Sequence, residues 1–354
     1  IVAQVAERVR QGESCEGIPG VWVKREDGHT QKTPRGPVVD INTLPVPDFS
    51  LFEEARFSRP MGGKIHRTIP IEAQRGCRFA CRFCNSPTQL TMAKDAKAGN
   101  FLRRKSIPRL REELQAIRER YNPDLLYFVD DTFLARPITE LRDMAEMYQE
   151  FRIPLWNNTR PETITPETIE LLVRMNCFRM SLGLEAGNEE FRDKMLYRKM
   201  RTAELLKHFD YAANGSVTYS TNMIIGYPDE TRDLVFESIE LMRQIRGYDS
   251  ITVSIFTPYS GTSLRNYAEK KGYLDPATIT THTTSRSLLN MPPPYLSADE
   301  IDQLMRTFVL YVHMNRQRWA EVRAAETDDE VLAALRSEYQ ASAWNDSPGS
   351  GGVP

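Results

Sequence analysis

The chain has 354 residues, enough for one large domain with appendages or for two ordinary domains. Its 46 basic and 48 acidic residues nearly balance, so no net field favours nucleic acid or an anionic membrane as a partner. No apolar run is long enough to be transmembrane, no signal peptide is present, and an odd count of five cysteines argues against a disulfide framework. These features predict a cytoplasmic protein.

Residues 1–60 predict an appendage followed by a linker. The opening helical pattern begins abruptly at Ile1, so we expect the chain to be a fragment whose N-terminal part is missing. A short strand pair is predicted around Val21–Val23, with a turn at Asp27–Gly28. The two prolines of Leu44–Phe49 exclude a regular helix or an inner strand, and this composition is typical of a linker.

Residues 61–262 predict the core, because short β-branched runs alternate there with longer amphipathic runs. The expected strands are Ile69–Gln74, Leu125–Asp130, Leu155–Thr159, Phe178–Leu184, Thr218–Ile225 and Ile251–Thr257. The expected helices lie near 106–121, 136–151, 165–176, 201–214 and 230–246. This alternation implies parallel strands joined by right-handed crossovers. The predicted fold class is α/β, a partial (β/α)6 TIM-like barrel rather than the eight units of a complete one.

Residues 263–342 predict a C-terminal extension that is mostly helical. Its helices are expected at Ala298–Trp319, capped by Ser297, and at Asp328–Gln340. Met291–Pro294 must be extended, which makes it a candidate strap across the mouth of the barrel. The Gly-, Ser- and Pro-rich residues 343–354 predict a disordered tail.

The most informative motif is CxxxCxxC, formed by Cys77, Cys81 and Cys84. Three thiolates within this short run can wrap one face of a small metal centre. A four-iron cluster needs a ligand on each iron, so three cysteines leave one iron open to a small molecule. A structural zinc site closes all four positions, usually with two separated ligand pairs. No second pair follows, because Cys15 and Cys177 stand alone.

With Phe83 directly before the last cysteine, the motif resembles the signature of radical S-adenosylmethionine (SAM) enzymes. The resemblance implies a [4Fe–4S] cluster on Cys77, Cys81 and Cys84, with the amino and carboxylate groups of SAM on the open iron. An electron from the cluster then breaks a carbon–sulfur bond and yields a 5′-deoxyadenosyl radical. The backbone of Phe83 is expected to contact the adenine, with simple packing of the loop as the alternative.

Polar residues follow the predicted strands, at the end where parallel barrels gather their functional groups. Asp130 and Asp131 stand where many members of the family have a Gly-Gly-Glu motif that holds the SAM amino group. Either carboxylate can accept from an ammonium group, and capping of the next helix is the alternative. Arg160 suits a bidentate grip on the SAM carboxylate, and an ion pair with a protein carboxylate is the alternative.

Two later strand ends complete the site that the resemblance implies. Glu185, between two glycines, matches the acidic residue of the fourth strand that accepts from the ribose hydroxyls. Asn222 and Gly226 lie in a segment similar to the family's GxIxGxxP motif, whose apolar residues and backbone flank the adenine. A buried strand that ends in a turn is the alternative. Tyr259 can face the substrate or cover the core.

The Asp-Asp-Thr-Phe run at residues 130–133 and the linker resemble the cobalamin-dependent branch of the family. That branch implies cobalamin as a further cofactor, held in a domain before Ile1, and an ordinary N-terminal extension is the alternative. The predicted function is radical chemistry on an unactivated carbon, either cobalamin-dependent methylation or rearrangement of a small-molecule metabolite. The implied electron donor is a protein such as flavodoxin or ferredoxin.

Two other functions stay open. Methylthiotransferases of tRNA or protein carry a second cysteine trio upstream and an RNA-binding domain downstream, whereas Cys15 is alone here and the C-terminus is not basic. A non-enzymatic iron–sulfur or zinc module needs four protein ligands. The five histidines show no HExxH or paired spacing, and no GxGxxG or Walker sequence is present.

Overall fold

The computed structural model describes residues 1–61, 63–281 and 285–345. Helix α1 (Val2–Gln11) comes first and is exposed on all sides. The predicted strand pair follows it, since β1 (Trp22–Lys24) pairs antiparallel with β2 (Thr30–Lys32). The last residues of the predicted disordered tail, 346–354, lie outside the described residues.

The remaining strands build the barrel and a small ribbon beside it. In chain order they are β3 (Ser58–Met61), β4 (Lys64–Ile71), β5 (Gln74–Arg75), β6 (Arg103–Arg104), β7 (Leu125–Phe128), β8 (Leu155–Thr159), β9 (Cys177–Glu185), β10 (Thr218–Ile225) and β11 (Tyr248–Ile255). One seven-stranded sheet has the order β11-β10-β9-β8-β7-β4-β3. Its strands from β4 to β11 are parallel, which confirms the six predicted units.

Two features of the strands were not predicted. Strand β3 adds an antiparallel edge to β4, and β5 pairs with β6 in a separate ribbon. Pro60 lies in β3, where it is tolerated because an edge strand can lack a donor. The first parallel strand also begins earlier than predicted, at Lys64, and ends at Ile71. The chain leaves the sheet there and enters the cysteine loop.

The helices cover the outer face of the sheet. They are α2 (Ser86–Asp95), α3 (Ile107–Tyr121), α4 (Ile138–Tyr148), α5 (Pro166–Arg174), α6 (Glu189–Lys194), α7 (Thr202–Ala213), α8 (Arg232–Met242), α9 (Ser263–Lys270), α10 (Ala298–His313), α11 (Trp319–Ala324) and α12 (Asp329–Asn345). Helices α3, α4, α5, α7 and α8 are the five predicted crossovers. The short helices α2, α6 and α9 were not predicted. Among the described residues, no helix combines the length and apolarity needed to cross a membrane.

Side-chain caps fix several helix starts. Thr165 and Thr168 form a reciprocal capping box at α5, and Ser297 and Glu300 form another at α10. Thr231 accepts from the N–H of residue 234 at the start of α8. The predicted cap at Ser297 is therefore confirmed.

The single long helix predicted over Ala298–Trp319 is wrong, because α10 ends at His313 and Met314 is extended. Arg243 explains the break. Its guanidinium donates to the carbonyls of residues 311, 312 and 314, and so satisfies groups that an ending helix leaves without partners. The chain then turns into α11 and α12, and α12 continues past the predicted end at Gln340 to Asn345.

The candidate strap lies beside the loop that follows β10. Met291 is buried, and the backbone N–H groups of Asn290 and Leu296 donate to the carbonyls of Tyr273 and Glu230 at 2.8 and 3.0 Å. The segment is thus fastened on the side of the barrel where the parallel strands end. The prediction that residues 291–294 are all extended is wrong, because Pro293 and Pro294 form a turn in which the N–H of Tyr295 donates to the Pro292 carbonyl at 3.1 Å.

We expect the buried side chains between the sheet and the helices to contribute most of the free energy that stabilises the fold. Phe128 of β7 is fully buried, and its ring lies 4.9 Å from that of Phe133. Phe128→Ala should lower the free energy of unfolding by about 3–5 kcal/mol in urea denaturation. Phe178→Ala removes the same atoms from a ring that is 38% exposed, and should lower it by only about 1 kcal/mol. Equal losses for the two variants would contradict this division of the core.

Candidate functional site

The three cysteines lie on the loop between β5 and α2, at the end of the barrel where the parallel strands finish. The N–H of Cys77 donates to Ser86 Oγ at 3.1 Å, and the N–H of Cys84 donates to the Cys81 carbonyl at 3.1 Å. The backbone of Arg82 donates to the Leu196 carbonyl, which ties the loop to the segment after α6. The loop is therefore held at both ends rather than free.

Each cysteine sulfur contacts a polar group from a different part of the chain. Cys77 Sγ lies 3.5 Å from the hydroxyl of Thr132, which follows β7. Cys81 Sγ accepts from Arg160 Nη1 at 2.9 Å, and Arg160 follows β8. Cys84 Sγ accepts from the N–H of Ser86 at the start of α2, at 3.5 Å. The sulfurs thus meet groups from three elements.

Burial raises the pKa of two of these thiols, Cys81 and Cys84. It raises the pKa of the Cys84 thiol to about 11, and the negative charges of Asp131, Cys81 and Cys77 raise it as well. Burial also raises the pKa of Cys81, against the opposing effect of Arg198 and Arg160. Because neighbouring thiolates repel one another, a cationic centre such as bound iron would favour the ionised ligands.

The arrangement differs from that of a single-ion site. In the described ranges 1–61, 63–281 and 285–345, no three His, Cys, Asp or Glu side chains are grouped to hold one metal ion. A zinc ion needs all its sulfur ligands at about 2.3 Å from one point. A four-iron cluster gives each cysteine its own iron, so its sulfurs stand further apart.

Two buried polar atoms beside the loop lack partners among the described residues. Gln74 is 2% exposed and its Oε1 has no donor, while its Nε2 donates to the Gly76 carbonyl at 3.3 Å. The Tyr227 hydroxyl is also buried without a partner, and its ring packs against Phe83 and Phe256. Unpaired polar groups are costly when dry, so they indicate a place for a polar ligand. Three thiols, nearby arginines and these orphan atoms together fit an anionic cluster and a polar cofactor.

The structure separates the roles of the two adjacent aspartates. Asp130 Oδ1 accepts from the N–H groups of Ala73 and Gln74 at 2.8 and 3.0 Å, and its Oδ2 accepts from Arg136 at 2.7 Å. Both oxygens are therefore engaged within the protein. Capping of the next helix, the predicted alternative, is wrong for both residues, because α4 starts at residue 138 after Pro137.

Of the two aspartates, Asp131 has the carboxylate that faces an open cleft. It lines a cleft of about 280 Å³ with Glu72, Arg75, Cys84 and Arg103. Its carboxylate has no hydrogen bond or ion pair with the residues that the structure describes. The surrounding protein and the charge of Glu72 raise the pKa of Asp131. Of the predicted pair, this carboxylate remains available to an ammonium group beside Cys84.

Arg160 is buried and makes several contacts. It forms an ion pair with Glu162, which confirms the predicted structural alternative. Its guanidinium lies over the ring of Phe79 at 3.9 Å from the centroid, and Nη1 donates to Cys81. Its Nε is buried and has no hydrogen-bond partner in the part of the chain that the structure describes. Both terminal nitrogens are engaged, so a bidentate grip on the SAM carboxylate would require these contacts to change.

Glu185 ends β9 in an unusual backbone conformation, with φ at +76°. Its carboxylate accepts from Arg198 Nη1 at 3.1 Å. Burial raises the pKa of Glu185, and the positive charges of Arg198 and Arg160 oppose that rise. A side chain at Gly183 would collide with the Glu185 carboxylate, which explains why a glycine precedes it. The carboxylate therefore folds back over its own strand toward the barrel interior.

A cavity of about 880 Å³ occupies the inside of the barrel. It brings together three predicted residues, Phe83, Glu185 and Asn222, and Tyr259 lines it too. The inner face is polar, as β8 shows. Leu155, Asn157 and Thr159 are buried on one side of that strand, and Trp156 and Asn158 line the cavity on the other.

The structure gives Gly226 a backbone role. Its φ is +82°, which favours glycine, and a side chain there would press on Ile301 of α10. The N–H groups of Gly226 and Tyr227 both donate to the buried carboxylate of Glu230. Burial raises the pKa of Glu230 to about 8. Contact of Gly226 with adenine stays a prediction, while its part in the turn after β10 is clear.

Three residues of the site were not found from the sequence. Arg198 lies in an irregular segment after α6, Glu162 is two residues beyond Arg160, and Thr132 was quoted only as part of the run after β7. The sequence signal that could have identified Glu162 is its opposite charge two residues after Arg160. No local pattern identifies Arg198, because only the fold brings it to Glu185.

The site geometry agrees with the comparison of the chain with known proteins. Residues 71–242 match the model of the radical SAM superfamily. Residues 71–242 of the chain therefore form a radical SAM domain.

Some related proteins are named methyltransferases, and others, 21–25% identical over a smaller share of the chain, are named tRNA-2-methylthio-N(6)-dimethylallyladenosine synthases. An uncharacterized methyltransferase of Pyrococcus horikoshii is 25% identical over 313 residues, which cover 86% of this chain and 63% of that protein. The bacteriochlorophyllide d C-12(1)-methyltransferase of Chlorobaculum tepidum is 25% identical over 63% of this chain and 46% of its own length. The chain thus spans only about half to under two thirds of these relatives.

A solved structure shows the same fold. The radical SAM methyltransferase TsrM from Kitasatospora setae, solved with tryptophan substrate and a SAM analog, aligns with a TM-score of 0.57 at 15% identity. The alignment covers 77% of this chain and 53% of TsrM. A second structure of TsrM, with cobalamin and a [4Fe–4S] cluster bound, covers 95% of this chain with a TM-score of 0.56.

The two aspartates should respond differently to the same substitution. Asp130→Asn leaves the buried Arg136 without its carboxylate and should lower the free energy of unfolding by about 3–5 kcal/mol. Asp131→Asn removes an exposed charge with no protein partner among the described residues, and should change it by no more than about 0.5 kcal/mol. Thermal and urea unfolding measure both. Similar losses in the two variants would show that the roles are not divided in this way.

Proposed function

We propose that this chain is a radical SAM enzyme whose cluster is held by Cys77, Cys81 and Cys84. The observation that carries the proposal is the placement of three thiols at the strand ends of an open barrel, beside a polar cavity. When bound, the cluster and SAM supply one-electron cleavage of a carbon–sulfur bond and a 5′-deoxyadenosyl radical. The residues of the chain bind, orient and shield these groups.

Each end of SAM has a matching group at the rim of the barrel. Asp131 is the proposed acceptor for the ammonium group, because its carboxylate faces the cleft beside Cys84. Glu185 is the proposed acceptor for the ribose hydroxyls, and it lines the barrel cavity. Phe83 and Asn222 line the same cavity and are proposed to flank the adenine. The proposal therefore places SAM from the cysteine loop into the barrel.

The cavity limits the combined size of the substrate and the part of SAM that enters it. Its volume of about 880 Å³ lies within the range of small-molecule sites, about 300–1,000 Å³. Trp156 stacks on Tyr127 at 4.0 Å, and hydroxyl and amide side chains line the walls. We infer a small-molecule substrate that enters the barrel and meets the radical beside the cysteine loop.

Methyl transfer is the proposed outcome, and cobalamin the proposed third cofactor. The support is that the relatives matching the largest shares of the chain are named methyltransferases and that TsrM, which shares the fold, was solved with cobalamin bound. The run at residues 130–133 and the linker resemble the same branch. A one-electron donor such as flavodoxin or ferredoxin is the proposed partner.

Iron content and SAM cleavage test the proposal. After anaerobic reconstitution, the chain should be brown, contain about four irons, and form 5′-deoxyadenosine from SAM only when dithionite is present. Cys81→Ala should lose most of the iron and all of the cleavage. Cys15→Ala, which removes a cysteine outside the loop, should keep both. A colourless protein that leaves SAM intact, or one zinc per chain without iron, would refute the proposal.

Glu185 offers a separate test of where SAM lies. Glu185→Gln keeps the shape of the side chain but weakens its acceptance from two ribose hydroxyls. We expect the Kd for SAM to rise about tenfold, or about 1.4 kcal/mol, while the iron content is unchanged. Glu190→Gln, an exposed change on α6, should leave the Kd unaltered. Unchanged SAM binding in Glu185→Gln would remove this residue from the site.

A further inference from the structure

The contact between Arg160 and Cys81 has properties that ligand binding alone does not explain. Arg160 Nη1 donates to the Cys81 sulfur at 2.9 Å, the shortest of the three polar contacts to the cysteine sulfurs. It is also the only one of these three contacts that brings a formal charge. The other two come from the hydroxyl of Thr132 and the N–H of Ser86.

We propose that Arg160 is a positioning residue that sets the reduction potential of the cluster through its N–H to the Cys81 sulfur. The inference rests on the proposed function, because it requires a cluster on the cysteine loop. It assigns Arg160 to the thiolate side of the cluster rather than to the carboxylate of SAM.

The guanidinium is fixed before any cofactor binds. Arg160 is only 8% exposed, its second terminal nitrogen pairs with Glu162, and its Cζ lies 3.9 Å from the centre of the Phe79 ring. Phe79 belongs to the cysteine loop itself. The ring and the sulfur therefore hold one side of the guanidinium, and Glu162 holds the other. A planar guanidinium held by these contacts keeps its orientation when a neighbouring group changes charge.

The sign of the effect follows from charge. Reduction adds one electron from an external one-electron donor to the cluster, and no bond forms or breaks. A cluster on three thiolates becomes more negative in this step, so a positive charge against one thiolate favours the reduced form. Hydrogen bonds to the sulfurs act in the same direction. Arg160 should raise the reduction potential, and Glu162 should lower it by offsetting the charge of Arg160.

Two substitutions should therefore shift the potential in opposite directions. Arg160→Gln removes the charge and should lower the equilibrium constant for reduction about tenfold, equal to about 59 mV for one electron. Glu162→Gln leaves Arg160 uncompensated and should raise the potential. Arg160→Lys keeps the charge but not the planar guanidinium, so its reduction potential should lie between those of Arg160→Gln and the parent chain. Thr132→Val removes a neutral group near Cys77 and should shift the potential less than Arg160→Gln.

The measurement is a potentiometric titration of the reconstituted chain without SAM, followed by electron paramagnetic resonance (EPR). SAM is left out so that this role can be separated from binding of the SAM carboxylate. If Arg160 only bound that carboxylate, its substitution would not change the reduction potential in the absence of SAM. A purely structural role predicts lost iron in both variants and no opposite shifts. Iron content is measured alongside. If Arg160→Gln loses its iron, the proposal is tested by the direction in which the reduction potential shifts in Glu162→Gln and Arg160→Lys.

Unchanged potentials in iron-loaded Arg160→Gln and Glu162→Gln, or shifts in the same direction, would overturn the role of Arg160. A parent chain that takes up no iron would instead overturn the proposed function. The two failures are therefore distinguishable.

Discussion

The buried carboxylate of Asp130 fixes the path by which the chain leaves the first parallel strand. It binds the backbone N–H groups of Ala73 and Gln74 and is neutralised by Arg136. These bonds join the end of β7 to the start of the cysteine loop. This carboxylate holds the start of the loop against the neighbouring strand end, and the bond from Arg82 to the Leu196 carbonyl holds it further along.

The open barrel has two faces with different chemistry. Its outer face is largely apolar, with Asn157 and Thr159 of β8 as buried polar exceptions, and packing of this face on the helices supplies the hydrophobic burial that stabilises the fold. Its inner face carries hydroxyl, amide and aromatic groups around a cavity. Most of the charges at the rim are paired, as in Glu185 with Arg198 and Arg160 with Glu162. Paired charges in a partly dry site are preorganised, so they can orient a bound group without reorganising.

Much of the fold was predictable because it follows from local pattern. Apolar runs with β-branched residues identified the six parallel strands, and their periodicity identified the five crossover helices. The break after His313 was not predictable, because a distant arginine, Arg243, satisfies the helix end there. The edge strand β3 was missed for a similar reason. It is short, contains Pro60, and exists only by pairing with β4.

The site was predictable only in part. Cys77, Cys81 and Cys84 are close in sequence, so their spacing alone indicated a shared centre. Asp130 and Asp131 have different roles because different groups face their carboxylates. The sequence does not show this difference, because the two aspartates are adjacent and identical. Arg198 reaches Glu185 only through the fold.

The central claim is that three cysteines hold a cluster with one iron left open to SAM. The EPR spectrum of the dithionite-reduced chain, recorded with and without SAM, tests it most directly. The claim predicts a signal of a reduced four-iron cluster whose shape changes when SAM is added, because SAM binds the open iron. An iron–sulfur signal that SAM leaves unchanged would contradict it.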